Sequence, residues 1–306
     1  MHLNGGTPKR LMSVATFWAG GDLPALDRAC LASFARAGHT VTLFSFEKLA
    51  GLPDGVTLAD AREIVPRETL DAFIFEGQPN FSHFSDYFRY KLFAVSGDAW
   101  IDTDLLMLRP VPDQPGNLFA KETPTGICGA IMRIGRDDPK LSELLRRTEA
   151  LMNTELVWGA TGPRLLNQVL GATAILQQAR PEHCFFPVHY DDFYKPLLPD
   201  MADECEALCA ESQTLHLWNN IVVRLGYWKE LAPPAGSFLW RRLQRMGLLS
   251  LFRDTYPEEV MQNMVTNWLL RKSGGDIGVV KLVRQVVPSI MRTATPRVRS
   301  LLQHRV

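Results

Sequence analysis

The sequence predicts an α/β fold, and three observations support it. The first is a βαβ unit at the start of the chain. Residues 11–17 are an apolar run, 25–37 carry Leu26, Cys30 and Phe34 at i, i+4 spacing with Gly38 as a stop, and 41–44 form a second apolar run. Such a unit implies that the sheet begins with parallel strands. The second is a helix, tight turn and strand over 84–101. The third is scale: 306 residues with 46% hydrophobic content can bury a sizeable core, as one large domain or one domain with an extension.

The first strand ends in Trp18-Ala19-Gly20-Gly21, a glycine-permissive loop. Ligands of open α/β sheets lie beyond the carboxyl ends of the strands. Trp18 therefore has two readings, a platform for a flat base or a core residue. Between 48 and 81, Pro53, Gly55, Pro66 and Pro79 break the pattern into short connecting pieces, and Glu63, Glu68 and Asp71 read as solvated.

Residues 84–96 carry Phe84, Phe88, Leu92 and Val95 at helical spacing, with Ser82 or Ser85 as caps and Gly97 as the stop. After a Gly97-Asp98 turn, Ala99-Trp100-Ile101 begins a strand. A strand rises about 3.3 Å per residue against about 1.5 Å for a helix. The chain thus travels back quickly, bringing Asp86 and Arg89 near Asp102 and Asp104. Asp86 and Arg89 are three apart on one helix face, and Asp102 and Asp104 share one side of the strand if it continues past Thr103. Two aspartates flanking one residue at a strand end suit a hard divalent cation that keeps sites open for phosphate oxygens. The competing reading is a polar strand end.

Beyond 105–108, Pro110, Pro112 and Pro115 forbid a long element, and 118–120 and 126–134 read as strands. Residues 138–152 form an amphipathic helix, with Leu141, Leu144, Leu145 and Leu151 opposite Arg146 and Glu149. Trp158 to Pro163 opens a helix containing Leu165, Leu166 and Val169. Within 214–220, a strand would point His216 and Trp218 the same way. His183, Cys184 and His189 match no closed zinc spacing. Ala232-Pro233-Pro234-Ala235-Gly236 reads as a linker, and 277–291 carries Val279, Val283, Val286 and Ile290 on one helix face.

Ser85-Asp86-Tyr87-Phe88-Arg89-Tyr90, followed by the strand and Asp102-Thr103-Asp104, resembles the DXD sugar-binding region of retaining glycosyltransferases. These include α-1,4-galactosyltransferases, initiating mannosyltransferases and, more remotely, the clostridial glucosylating toxins. The resemblance covers roughly 12–231 and implies a GT-A fold, the Rossmann-like architecture of nucleotide-diphospho-sugar transferases. It implies that Asp86 and Arg89 contact the donor sugar, and that Asp102 and Asp104 bind Mn2+ (or Mg2+) and the nucleotide diphosphate, with Thr103 and Gly20 lining that site. Trp18 then stacks on the donor base. A late-chain His, here His216, completes the metal site in some relatives; the alternative has His216 bonding backbone or acceptor while Asn219 or water fills the site. The Trp158–Gly162 stretch and Trp218-Asn219 fall beside the acceptor. Two departures stand out. The family's Gly-Gly-x-Tyr is Gly97-Asp98-Ala99-Trp100 here, and an Asn-Gly pair that reaches the sugar is Cys128-Gly129, a weak thiol donor in place of an amide.

The expected organisation is a GT-A domain over 1–232 and a basic, mostly helical C-terminal extension over 237–306. The expected activity moves a hexose from a nucleotide-sugar donor, UDP-linked, to a glycan or glycolipid acceptor in bacterial polysaccharide or glycolipid biosynthesis. Formal charge balances at 33 Lys+Arg and 33 Asp+Glu, but the extension holds 12 cations against 4 acids. No nucleic-acid motif accompanies the basic part, so an anionic membrane surface is the expected partner, with packing on the catalytic domain the alternative. Five cysteines without a CxxC pair suit a reducing, cytoplasmic location, and no apolar run reaches membrane-spanning length. Two other function classes fit the same motif: a non-catalytic sugar-nucleotide-binding or membrane-associated scaffold, and a DxD-type phosphatase. The phosphatase motif usually ends a first strand, whereas this one lies a third of the way along.

Overall fold

The computed structural model describes residues 10–273, so the 277–291 segment lies outside the described residues. The chain divides into two compact units after Glu258. In the second, the described residues continue the helix Glu258–Lys272.

The first unit is built on a six-stranded sheet. Its strands are β1 (Val14–Phe17), β2 (Val41–Ser45), β3 (Val56–Asp60), β4 (Ala99–Ile101), and two from a later hairpin, β5 (Leu118–Thr123) and β6 (Gly126–Arg133). Their order is β3-β2-β1-β4-β6-β5. The four strands from β3 to β4 pair in parallel, and the hairpin joins antiparallel on β4. This is the predicted α/β architecture, and it is consistent with a GT-A sheet. Strand β3 is an addition to the sequence reading. Pro53 and Gly55 hide its start, and its half-exposed residues give it the pattern of an edge strand.

Helix α1 (Ala25–Arg36) links β1 to β2, as predicted. Helix α2 (Phe81–Val95) begins earlier than the periodicity suggested, and its cap is Asn80, whose side chain accepts from the His83 amide. Neither Ser82 nor Ser85 caps it. It ends without a left-handed glycine. Asp98 closes the turn instead, with Ser96 Oγ donating to its carboxylate at 2.6 Å and its own amide donating back to that hydroxyl at 3.1 Å.

Phe84 and Phe88 of α2 press on Phe17 of β1, with ring centroids 5.2 and 4.8 Å apart, and Phe88 lies 6.5 Å from Trp100 of β4. This aromatic seam fixes α2 against the two strands whose carboxyl ends carry Trp18 and the aspartate pair. Helix α3 (Pro139–Glu149) starts on Asp138, which caps the Lys140 amide, and α4 is Pro163–Leu170. A further helix, Phe238–Arg245, belongs to the first unit, where Arg242 and Arg241 pair with Glu206 and Asp203.

Candidate active site

Strand β4 stops at Ile101, and Asp102-Thr103-Asp104 form a turn into the short strand Leu105–Met107. The expected alternation of the two aspartates along one strand face therefore does not apply. The turn separates the three side chains. Thr103 Oγ1 donates to Asp27 Oδ1 of α1 at 2.8 Å. Asp102 Oδ1 accepts from Trp100 Nε1 at 2.6 Å. Asp104 turns inward, its Oδ2 lying 3.2 Å from His216 Nε2 and accepting the Asn219 amide at 2.6 Å.

His216 arrives by strand pairing. Thr214–His216 runs antiparallel to Leu105–Met107, with His216 opposite Leu105, and the Leu217 amide donates to the Asp104 carbonyl at 3.0 Å. One donor atom each from Asp102, Asp104 and His216 lies within 4.8 Å of the others, the single such group among the described residues. His183, Cys184 and His189 do not form one.

These residues fit a hard divalent cation. Two carboxylates and an imidazole suit Mn2+, and carboxylates with water suit Mg2+. The 3.2 Å between Asp104 Oδ2 and His216 Nε2 is close to the roughly 3 Å between neighbouring ligands on one octahedral ion. Asn219, whose backbone amide binds the Asp104 carboxylate, also has a buried side-chain Oδ1 with no hydrogen-bond partner. Asp104 and His216 are buried, whereas the Asp102 side chain is 37% exposed, which leaves the group open on the Asp102 side.

Burial pulls the His216 imidazole down, but Asp104, then Asp102 and Glu122, outweigh it and raise the pKa above its ordinary 6.5. Burial likewise pushes the Asp104 carboxyl up, and His216, the Asn219 amide and Lys229 bring it below 3.8. A protonated His216 cannot ligate. Mn2+ affinity is therefore expected to fall with falling pH, starting above 6.5, by up to about tenfold per unit for one displaced proton. Stability of the metal-free protein runs the other way: the His216 contribution is complete below 6.5 and is lost as pH rises through the raised folded value. Calorimetric Mn2+ titrations over this range check the slope, and a pH-independent affinity would remove His216 from the ligand set.

Asp86 and Arg89 pair on α2, at 8% and 3% exposure. The guanidinium also donates to the Gly129 carbonyl, lies 5.3 Å from the Trp100 ring centroid, and reaches to 3.8 Å from Asp102 Oδ1. Asp86 Oδ2 accepts from Thr161 Oγ1 at 2.9 Å, and Tyr90 OH donates to the Thr161 carbonyl at 2.8 Å. Two glycines make room. A Cβ on Gly162 would stand 2.5 Å from Asp86 Oδ2, and one on Gly129 would stand 2.5 Å from Arg89 Nη1. Arg89 is thus the link between α2 and the metal-type group.

Trp18 is half-buried, with Nε1 donating to the Gly21 carbonyl at 2.8 Å, so it is tied to its own loop. Gly20, at φ +99°, lets that loop turn beside Phe81. Trp158 is 52% exposed and stands before α4. Trp218 departs from the prediction: it does not extend the strand but takes a left-handed conformation (φ 53°, ψ 54°) at the start of the helix Asn219–Leu225. Its ring still meets His216, at 4.0 Å between centroids, and Nε1 donates to the Val188 carbonyl at 3.0 Å, so Trp218 packs against the imidazole of the site.

Several residues escaped the sequence reading. Asp27 is 1% exposed and binds Thr103, yet an acid in the first turn of a helix reads as an ordinary dipole partner. Thr161 carries no pattern of its own. Burial pushes the Glu122 carboxyl of β5 up, while neighbouring Cys128 and, at longer range, His216 and His189 act to lower it. Cys128 is buried and its thiol is pushed up by burial and by Glu122.

No family model and no curated protein matches the sequence. Among solved structures, the chain is similar to "PaToxG Glycosyltransferase" (12% identity, 56% of this chain and 74% of that one, TM-score 0.39). It is also similar to "WbbM bifunctional glycosytransferase apo structure" (10% identity, 86% of this chain and 53% of that one, TM-score 0.44). The chain spans about half of the WbbM structure's length. At these scores the site stands on its own geometry.

Proposed function

We propose that the protein is a retaining, metal-dependent glycosyltransferase that moves a hexose from a UDP-linked or related nucleotide-sugar donor to a hydroxyl of a glycan or glycolipid. One observation carries this reading. Asp102, Asp104 and His216 converge beyond the carboxyl ends of two adjacent parallel strands, and the buried Asp86–Arg89 pair stands 3.8 Å from Asp102. Asp102, Asp104 and His216 would hold Mn2+ or Mg2+, which supplies positive charge to the departing diphosphate. Asp86 accepts a hydrogen bond from a donor-sugar hydroxyl. Arg89 holds Asp86 and Asp102 at a fixed separation, so the sugar is presented in a near-attack pose. Trp18 offers its ring to the base. Trp158, Gly162, Trp218 and Asn219 would contact the acceptor. Retention and the UDP preference rest on the family resemblance of the Ser-Asp-x-x-Arg and DXD motifs.

The test is a donor-hydrolysis screen over uridine- and guanosine-diphosphate sugars with Mn2+, because transferases of this kind pass sugar slowly to water. Manganese-dependent release of sugar from one donor supports the reading, and no turnover with any donor that binds would make the protein a sugar-nucleotide-binding scaffold.

No helix among the described residues is long and apolar enough to cross a membrane. We further propose that the basic segment toward the C-terminus rests on an anionic membrane surface, with the enzyme on the cytoplasmic side. Flotation of the full chain with anionic vesicles is expected to exceed that with zwitterionic ones and to fall with salt. Equal recovery would overturn it.

A further inference from the structure

The chain returns to the site a second time after His216. The helix Asn219–Leu225 ends on Gly226 at φ +90°, where only glycine turns without strain, and the chain then crosses the start of α1. The Lys229 carbonyl accepts the Leu26 amide at 3.0 Å, and Glu230 Oε1 accepts the Ala25 amide at 3.1 Å. On the other side the Trp228 amide donates to Tyr256 OH at 2.7 Å. This backbone placement delivers Lys229 Nζ to 2.5 Å from Asp27 Oδ2 and 5.6 Å from the Trp18 ring centroid. The second oxygen of the same aspartate holds Thr103. One buried carboxylate on α1 therefore joins the turn after β4 to the segment after His216, and Lys229 of that segment lies beside the Trp18 ring.

Burying an ion pair is costly, and an apolar contact of similar size would hold two loops together as well or better. What a lysine adds is charge and spare donors. Its ammonium carries three N–H groups, and Asp27 takes one. The charge is needed here, because Asp27, Asp86, Asp102, Asp104 and Glu122 crowd the site and Arg89 is engaged by Asp86 and Asp102. A nucleoside diphosphate with its base on Trp18 and its phosphates at Asp102 and Asp104 would pass Lys229 on the way.

On the proposed transferase reading, we infer that Lys229 is a diphosphate-binding residue of the donor site, aimed by Asp27. The two oxygens of Asp27 keep Lys229 and Thr103 in register, so the cation and the metal-type turn meet one ligand together. Lys229 thereby selects a nucleoside diphosphate over the bare nucleoside.

The experiment is calorimetric titration of the full chain, with Mn2+ present, by UDP and GDP and by uridine and guanosine as phosphate-free comparisons. Lys229→Met alone strands a buried carboxylate, so the informative variant is the double Asp27→Asn/Lys229→Met, which removes both charges and keeps an oxygen for Thr103. Its diphosphate affinity is expected to fall about tenfold or more, the scale of one charge-assisted phosphate contact, with nucleoside affinity unchanged. Lys229→Arg is expected to stay within a few-fold of the natural protein. Unchanged diphosphate affinity in the double variant overturns the Lys229 role alone, provided the natural protein binds and turns over donor. An equal fall for nucleoside and diphosphate overturns it too, since that is the mark of a merely structural pair propping Trp18. Failure of the natural protein to bind any diphosphate overturns the transferase reading and this inference together.

Discussion

Asp104→Asn is expected to abolish sugar transfer and leave the fold intact. The substitution keeps size and shape, and the remaining amide oxygen still accepts the Asn219 amide, now 2.6 Å from the carboxylate. It removes the one carboxylate that is both buried and in contact with His216. A cation held by Asp102 and His216 alone loses its best-enclosed anionic ligand, because Asp102 is half-exposed and already accepts from Trp100. Charge stabilisation of a leaving diphosphate by a metal is worth several kcal/mol, and each 1.4 kcal/mol is tenfold, so turnover should fall on the order of a thousandfold. Donor hydrolysis, Mn2+ titration and a melting curve on the same sample separate the effects. More than about a tenth of the activity surviving with Mn2+ present would show that Asp104 does not hold the ion.

How far the sequence reached depends on sequence distance. The β1-α1-β2 unit and the α2-turn-β4 unit were readable because periodicity and rise per residue act over one or two turns. The same local arithmetic brought Arg89 close to Asp102. It fails where a strand is extended past its end: β4 stops at Ile101, so Asp102 and Asp104 come together through a turn, not through alternation, and Thr214–His216 stops before Trp218, which takes a left-handed conformation. His216 was placed by motif resemblance, and the geometry that brings it to Asp104 is a strand pairing that no local rule foresees. Asp27 and Lys229 were invisible for the same reason. They are 202 residues apart in the chain, and each alone looks like a surface charge. Nothing local in the sequence marks Gly129 and Gly162 as spacers, yet a Cβ at either would collide with Arg89 or Asp86.

Arg89→Met should unfold the protein more readily than any surface change, by about 3–5 kcal/mol, the cost of leaving one partner of a buried ion pair behind. Arg89 is 3% exposed, and its guanidinium answers Asp86, the Gly129 carbonyl and Asp102 at once, 5.3 Å from the Trp100 and 5.7 Å from the Tyr90 ring centroid. Methionine fills the space of the stem but strands Asp86, which burial already pushes up and which Arg89 and Thr161 hold down. The paired variant Asp86→Asn/Arg89→Met removes that stranded charge and should recover a large part of the loss, a coupling that a double-mutant cycle in urea measures directly. Turnover should not recover with it. The double variant would be folded, with the metal-type group intact, but without the pair that fixes the sugar and Asp102 relative to each other. If the paired variant recovers activity along with stability, Asp86 and Arg89 are scaffold only, and the sugar is held elsewhere.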